Sequence, residues 1–313
     1  MAGLHHITAI ASDAQRNLDF YVGLLGQRLV KRTVNFDAPD TYHFYFADYA
    51  GSPGTVLTFF PWPRARKGVR GAGEAWAAAY AVPATALPAW QARLQAAGAP
   101  VAPVTERFGE PVLAVQDPDG LLVELVGVEN VPAVVPWAGG PLPAEMELRG
   151  FHSTTLAVRD LAASAVLLTE TFGWRELGRE GNRVRYAIAG AVPGRVVDLL
   201  ELPDAAPGSM GAGTIHHVAF RTPDDAAQLR WRAHLAQEGF GVSDVRDRQY
   251  FNSIYFREPN GVLFEIATDT PGFAWDEPLG ELGGALKLPP WVEPQRERIA
   301  ARLPAIRVPE PAR

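Results

Sequence analysis

Leu4-His5-His6-Ile7-Thr8-Ala9-Ile10 near the start of the chain and Ile215-His216-His217-Val218-Ala219-Phe220 far downstream share one pattern. Both read as strands, each opened by a doublet of histidines. Each is followed by an acidic residue at the same offset, Asp13 and Asp224. A stretch with helical character comes next, Asn17 to Leu25 in the first case and Ala226 to Glu238 in the second. A third segment, Phe151-His152-Ser153-Thr154-Thr155-Leu156, keeps the same register to Asp160. It then reaches Phe172-Gly173-Trp174-Arg175-Glu176-Leu177, which echoes Leu25-Gly26-Gln27-Arg28-Leu29-Val30.

The ends of these units repeat as well. Asp117-Pro118-Asp119-Gly120-Leu121-Leu122-Val123-Glu124-Leu125 parallels Glu258-Pro259-Asn260-Gly261-Val262-Leu263-Phe264-Glu265-Ile266, each a glycine-bearing turn feeding a strand. The other two ends are Gly54 to Phe59 and Gly194 to Leu199. Four units result, at 4–61, 74–128, 150–203 and 213–268, each a strand, a helix and about three strands. The Pro/Gly-rich stretch from Val131 to Leu148 is the natural linker. The expected organisation is an N-terminal half over 1–130, a C-terminal half over 149–275 and a tail over 276–313 with a short helix near Glu293 to Leu303.

Composition narrows the chemistry. The 313 residues are 47% hydrophobic, enough for real cores. A formal charge of −6 without a Lys/Arg cluster gives nucleic acid no electrostatic footprint. With no cysteine at all, disulfides, thiolate metal sites, iron–sulfur clusters and thiol nucleophiles are excluded. Histidines and carboxylates remain as metal ligands. Neither a signal-peptide pattern nor a run of about 18 apolar residues occurs, so no membrane association and a cytoplasmic location are the expectation.

A strand–helix–three-strand unit repeated four times, its last strand carrying a carboxylate, resembles the vicinal-oxygen-chelate superfamily, to which glyoxalases, bleomycin resistance proteins and extradiol dioxygenases belong. The resemblance covers essentially the whole chain and implies an α+β fold in which paired βαβββ units form cup-shaped, curved mixed sheets. Metal ligands in that superfamily come from the first and last strands of paired units. In the repeat alignment, His6 and His217 are equivalent on the first strands. Ser153 is their counterpart in unit three, and Trp76 and Ala77 leave unit two without a ligand. His152 aligns with His5 and His216, a phase that strand alternation points to the other face. The last-strand positions are Thr58, Glu124, Asp198 and Glu265.

Counting then discriminates between pairings. Units one and two together would offer only His6 and Glu124; units three and four, Asp198, His217 and Glu265. Units one and four give His6, His217 and Glu265, a two-histidine, one-carboxylate set that leaves coordination positions open, as in non-haem Fe(II) oxygenases. Units two and three then pair around Glu124 and Asp198, and that cup is expected to be structural. His152 is the rival to His6.

Longer stretches resemble a narrower group, the hydroquinone-type ring-cleaving dioxygenases. They are Leu4 to Asp13, Leu29 to Asn35, Tyr42 to Asp48, Gly51 to Pro63, Arg149 to His152, Asp247 to Phe256 and Gly261 to Phe273. The resemblance implies iron held by His6, His217 and Glu265, with His5, His216, Arg248 and Tyr255 as polar neighbours. It also implies a dihydroxylated aromatic substrate opened with O2. Tyr255 would hydrogen-bond the substrate oxygen, Arg248 would stabilise developing negative charge, and His5 or His216 would move a proton or support the ligands. The plainer alternatives are that Tyr255 packs and that Arg248 pairs with Asp247 or Asp244. His43 reads as core or pocket wall, and Phe59, Trp62 and Phe251 are aryl-pocket candidates that core packing explains equally well.

Three other functions stay open on sequence: a glyoxalase-type isomerase, which wants a second carboxylate where Thr58 stands; a metal-free small-molecule-binding protein; and, lacking an H-E-x-x-H helix, a zinc hydrolase. Mn(II) is bound by the same ligand types as Fe(II). The aromatic diol is not specified by any motif, and a homo-oligomer is compatible with the chain.

Overall fold

In the computed structural model, which describes residues 1–309 apart from 134, 136, 138, 189 and 191, all four units are present. Three positions of the expected linker and the last four of the tail lie outside the described residues. Unit one comprises β1 (Leu4–Ala11), α1 (Ala14–Leu18), β2 (Arg28–Asn35), β3 (Ala38–Ala47) and β4 (Val56–Pro61). Unit two comprises β5 (Glu74–Pro83), α2 (Leu87–Ala96), β6 (Thr105–Arg107), β7 (Glu110–Gln116) and β8 (Leu122–Val128). Unit three has β9 (Phe151–Val158), α3 (Leu161–Val166), β10 (Arg175–Glu180), β11 (Arg183–Ala187) and β12 (Val196–Glu201). Unit four has β13 (Ile215–Thr222), α4 (Asp225–Gln237), β14 (Arg246–Asp247), β15 (Phe251–Arg257) and β16 (Leu263–Pro271).

The repeated aspartates are helix caps. Asp13, Asp160 and Asp224 have extended backbones, and their side chains accept the N–H of Arg16, Ala163 and Ala227 at 2.8, 3.0 and 2.7 Å. The helix of unit one therefore starts at Ala14, earlier than its periodicity suggests, and continues from Asp19 to Leu24 as a π-helical turn.

Two eight-stranded mixed sheets result, ordered β14-β15-β16-β13-β1-β4-β3-β2 and β10-β11-β12-β9-β5-β8-β7-β6. Units one and four thus share one sheet, and units two and three the other. Their central seams are antiparallel, β1 with β13 and β5 with β9. Lying between two strands and covered on both faces, β1 has every residue buried. No helix among the described residues is long and apolar enough to cross a membrane.

The turn into β8 locks units one and two together. Asp117 accepts hydrogen bonds from the backbone N–H of Asp119 (2.9 Å) and Leu121 (2.8 Å) and from the Tyr21 hydroxyl (3.1 Å). Burial pushes its carboxyl up to about 6 although those donors pull the other way. A carboxyl whose folded pKa is raised contributes stability that is full below its unfolded value near 3.8 and is lost as pH rises through about 6. Asp117→Asn keeps an oxygen for both N–H groups and offers its amide to the Tyr21 oxygen. It is expected to flatten this pH dependence and to raise stability at pH 8 by roughly 1–2 kcal/mol, with no gain near pH 4, in urea unfolding. A variant less stable than wild type at pH 8 contradicts this.

The tail after β16 lies along unit one. Arg28 donates to the carbonyls of Tyr49 and Gly280, Arg32 to that of Gly284, and the Lys287 N–H donates to the Arg32 carbonyl. The expected helix near Glu293 to Leu303 is a 3-10 turn from Glu293 to Gln295 followed by α5 (Arg296–Ala300). Phe273, just beyond β16, and Leu282 of the tail pack with Val30, Tyr45, Ala219 and Phe251 in a core of their own.

Candidate metal centre

Register decides what faces the inside of the first cup. Thr8 stands opposite His217 and His6 opposite Ala219 across the antiparallel seam, so all four side chains share one face. Ala219 pairs with Glu265, Glu265 with Tyr255, and Thr8 with Thr58, which extends the same face to both last strands. His6, His217 and Glu265 converge there, their donor atoms all within 4.8 Å of one another. His6 Nε2 lies 3.3 Å from His217 Nε2 and 3.4 Å from Glu265 Oε2, and His217 Nε2 lies 2.9 Å from that same oxygen.

Whether these atoms fit a cation depends on where the protons around them sit. His5 is buried, and burial, followed by the neighbouring His6, lowers its imidazole to about 3. Neutral His5 must donate from Nε2 to the Thr268 carbonyl at 3.1 Å, since a carbonyl only accepts. Its Nδ1 therefore accepts from His6 Nδ1 at 2.9 Å, which leaves the His6 Nε2 lone pair aimed into the cup. His217 and His216 also meet Nδ1 to Nδ1, at 2.8 Å, and burial, then His217, lowers His216 to about 3 as well. Glu265 is fully buried. Burial alone would raise its carboxyl, but the two imidazoles hold it well below the usual range. Its Oε1 is taken by the Ser253 hydroxyl, while Oε2 has no hydrogen bond of acceptable geometry despite its closeness to His217. A nitrogen from each imidazole and one carboxylate oxygen thus converge, close enough to share protons that a bound cation would displace. Ligand bonds of about 2.1 Å at right angles would space such atoms about 3 Å apart, so the set fits one divalent cation bound on a single face.

The two doublets owe their shape to β-bulges. Along the seam, Leu4 pairs with Phe220 and His6 with Ala219, while Thr8 pairs with His217 and Ala9 with Ile215. His5 and His216 are the extra residues. A bulge swings two consecutive side chains toward one side, which corrects the expectation that His5 and His216 point away: each lies against its ligand-position neighbour, with ring centroids 5.1 Å apart. His5 is sealed behind His6, whereas His216 lines the pocket.

That pocket, of about 340 Å³, opens over the convergent trio. Its walls include His43, Phe60 and Trp62 from unit one, Arg248, Phe251 and Tyr255 from unit four, and Phe36 and Asp37 from the β2–β3 turn. His43 is a wall residue, bonded through Nε2 to Thr58 (2.8 Å) and through Nδ1 to the Tyr45 hydroxyl (2.9 Å), with burial holding it neutral. Of the aryl candidates, Trp62 and Phe251 line the pocket, and Phe59 belongs to the core. Arg248 Nε reaches the Tyr255 hydroxyl at 3.2 Å, and its Nη1 pairs with Asp37 at 3.2 Å. Neither carboxylate suggested by sequence holds it: Asp244 pairs with Arg232, and Asp247 accepts the Gln249 N–H. Phe36 and Asp37 carry no sequence signal beyond a turn between two strands, and Phe60 lies on β4 within the Gly51 to Pro63 stretch without a motif of its own.

At the equivalent place in the second cup, guanidinium groups stand where a cation would. Arg107 grips Glu124 with two nitrogens (2.7 and 2.8 Å), and Arg185 grips Asp198 likewise (2.8 and 3.1 Å). His152 is a bulge residue there too, bonded to Ser153 and to Glu110. It therefore lies on the other sheet from His217 and Glu265.

Known proteins agree with this architecture. The chain is 48% identical over 297 residues to "Putative ring-cleaving dioxygenase MhqO" of Bacillus subtilis (strain 168), covering 95% of this chain and 94% of that protein. It is 38% identical over 305 residues to "Chlorohydroquinone/hydroquinone 1,2-dioxygenase" of Sphingobium indicum, covering 95% and 94%. A crystal structure of a "putative dioxygenase from Bacillus subtilis subsp. subtilis str. 168" superposes with a TM-score of 0.94 at 47% identity over 98% of each chain. Glyoxalase I from Zea mays, at 16% identity, shares the fold, with a TM-score of 0.64 over 86% of this chain and 92% of that one. With residues 3–125 and 150–266 both matching its pattern, the chain belongs to the glyoxalase/bleomycin resistance protein/dioxygenase superfamily.

Proposed function

We propose that the protein is an Fe(II)-dependent, extradiol-type ring-cleaving dioxygenase that inserts both atoms of O2 into a dihydroxylated aromatic, hydroquinone-like or catechol-like. The observation that carries this reading is the convergence of His6, His217 and Glu265 on one face that opens onto an aromatic-walled pocket also holding Arg248 and Tyr255. The names carried by the relatives point the same way. His6, His217 and Glu265 would hold the iron, which supplies a centre where diol and O2 meet and through which electron density passes between them.

The chain's own groups do the rest. With iron on both Nε2 atoms, His6 and His217 would carry their protons on Nδ1 and donate them to His5 and His216, which fixes both rings in orientation. His216 would then carry its own proton on Nε2, beside the pocket. Burial, then Glu265, raises the Tyr255 hydroxyl above its ordinary value, so it stays protonated at neutral pH. Because Arg248 donates to the Tyr255 oxygen, the phenolic proton is left to donate to an oxygen of the bound substrate. The guanidinium, at the same wall, stabilises negative charge building on that oxygen. Phe251, Phe60 and Trp62 present ring faces to an aryl group and shed water from it.

An isomerase reading loses its support at the fourth corner. Thr58 there is engaged by Thr8 (2.8 Å) and His43 (2.8 Å), and Asp198, the carboxylate that might have replaced it, is held by Arg185 on the other sheet. The test is anaerobic loading with Fe(II), or with Mn(II) in parallel, followed by oxygen-electrode measurements against hydroquinones and catechols under labelled O2. One O2 consumed per diol, with both labelled atoms in a ring-opened product, is expected. Metal bound tightly with no oxygen uptake on any diol would sink the proposal.

A further inference from the structure

We propose that Asp276, in the tail beyond β16, is a positioning residue for Arg248 and Phe251, an inference that rests on the reaction proposed above. The ammonium of Lys31 is fully buried. A buried ammonium is tolerated only when paired and hydrogen-bonded. Asp276 Oδ1 reaches it at 2.6 Å and Glu277 Oε2 at 2.5 Å, while the Tyr250 ring lies beneath it at 4.8 Å. The tail is therefore nailed to β2 at this point.

Asp276 spends its second oxygen elsewhere. Oδ2 accepts from the Gln249 amide and from the Tyr250 hydroxyl, each at 3.0 Å. Those two residues sit between Arg248 and Phe251, both of which line the metal pocket. Gln249 has φ of +67°, a left-handed conformation unfavourable for a residue with a Cβ. Such a conformation persists where surrounding contacts over-determine it, and here they come from the Asp247 carboxylate on its N–H and from Asp276 on its side chain. The reversal at Gln249 lets Arg248 reach Tyr255 while the next strand delivers the Phe251 ring to within 4.9 Å of the His6 ring. One carboxylate, fixed by a lysine in the core, thereby sets where a guanidinium and an aromatic wall stand relative to the iron ligands.

Asp276→Asn keeps the size of the side chain and leaves Glu277 to hold Lys31, but its amide cannot accept on both sides. With the iron-loaded enzyme, kcat for ring cleavage is expected to fall about tenfold while KM moves less than about threefold and iron content is unchanged. Arg248→Lys should lower kcat in the wild-type background, yet by less than about threefold further in Asp276→Asn, because the guanidinium has already lost its place. Tyr250→Phe, which keeps the ring under Lys31, should show the same non-additivity at smaller size. Amide hydrogen exchange over residues 247–251 should quicken about tenfold in Asp276→Asn. Kinetic losses that multiply, a fall in melting temperature without a fall in kcat, or unchanged exchange in that segment would each overturn the assignment. The exchange measurement decides it even if wild-type enzyme consumes no O2 with any diol, a result that would sink the proposed reaction instead.

Discussion

Glu265→Gln is expected to strip the metal and abolish turnover while leaving the fold intact. The substitution conserves volume and can keep the Ser253 contact, but it removes the only anion among the three converging donors. Losing a mere outer partner of a ligand costs about 10–100-fold in metal affinity, and losing the anionic ligand itself should cost more. Ring cleavage should then fall at least about a thousandfold in kcat/KM, roughly 4 kcal/mol of transition-state stabilisation. Metal analysis after gel filtration and steady-state oxygen uptake would record both. Metal-free measurements separate this from unfolding: the carboxylate that the imidazoles hold below the usual range adds stability at neutral pH, so the amide should lower the metal-free melting temperature, while a cooperative transition and an unchanged circular dichroism spectrum at assay temperature show the fold intact. His152→Ala, on the other sheet, should retain full metal content. A Glu265→Gln enzyme with wild-type iron and rate would remove the basis for the proposed centre.

The second cup should behave in the opposite way, indifferent to catalysis and costly to stability. Asp198 is fully buried and takes hydrogen bonds from Arg185 and Arg183, the first of which also reaches Glu110 at 2.6 Å. Asp198→Ala would leave two guanidinium groups in a buried setting without their main counter-charge, the case in which breaking one partner of a buried pair costs about 3–5 kcal/mol. Urea unfolding should show that loss, and iron stoichiometry should stay at the wild-type value. A cost below about 1 kcal/mol would mean that water reaches this cluster and that the guanidiniums do not substitute for a cation.

Much of this was legible because the strand pattern is local and the chain repeats it. Thr58, Glu124, Asp198 and Glu265 occupy equivalent last-strand positions in the structure, paired with Thr8, Ala79, Thr155 and Ala219, each two residues beyond its unit's first-strand position. The pairing of unit one with unit four followed from counting which donors could share a cup. What misled was strand alternation at His5 and His216. A bulge needs a partner strand with one residue fewer, and that partner lies some two hundred residues away.

By itself, then, the sequence determined the four units, the aspartate that follows the first strand in three of them, the inward phase of the ligand-position residues and the residues able to offer lone pairs, all of which depend on spacing along a single strand or helix. Only the tertiary structure decided the rest: that bulges fold His5 and His216 back onto His6 and His217, that Asp37 meets Arg248, that arginines fill the second cup, and that Asp276 reaches Lys31 across 245 positions. Those contacts arise where separate strands and the tail are brought together, and charge pairing in a buried space depends on which partners the fold delivers rather than on any pattern within one segment.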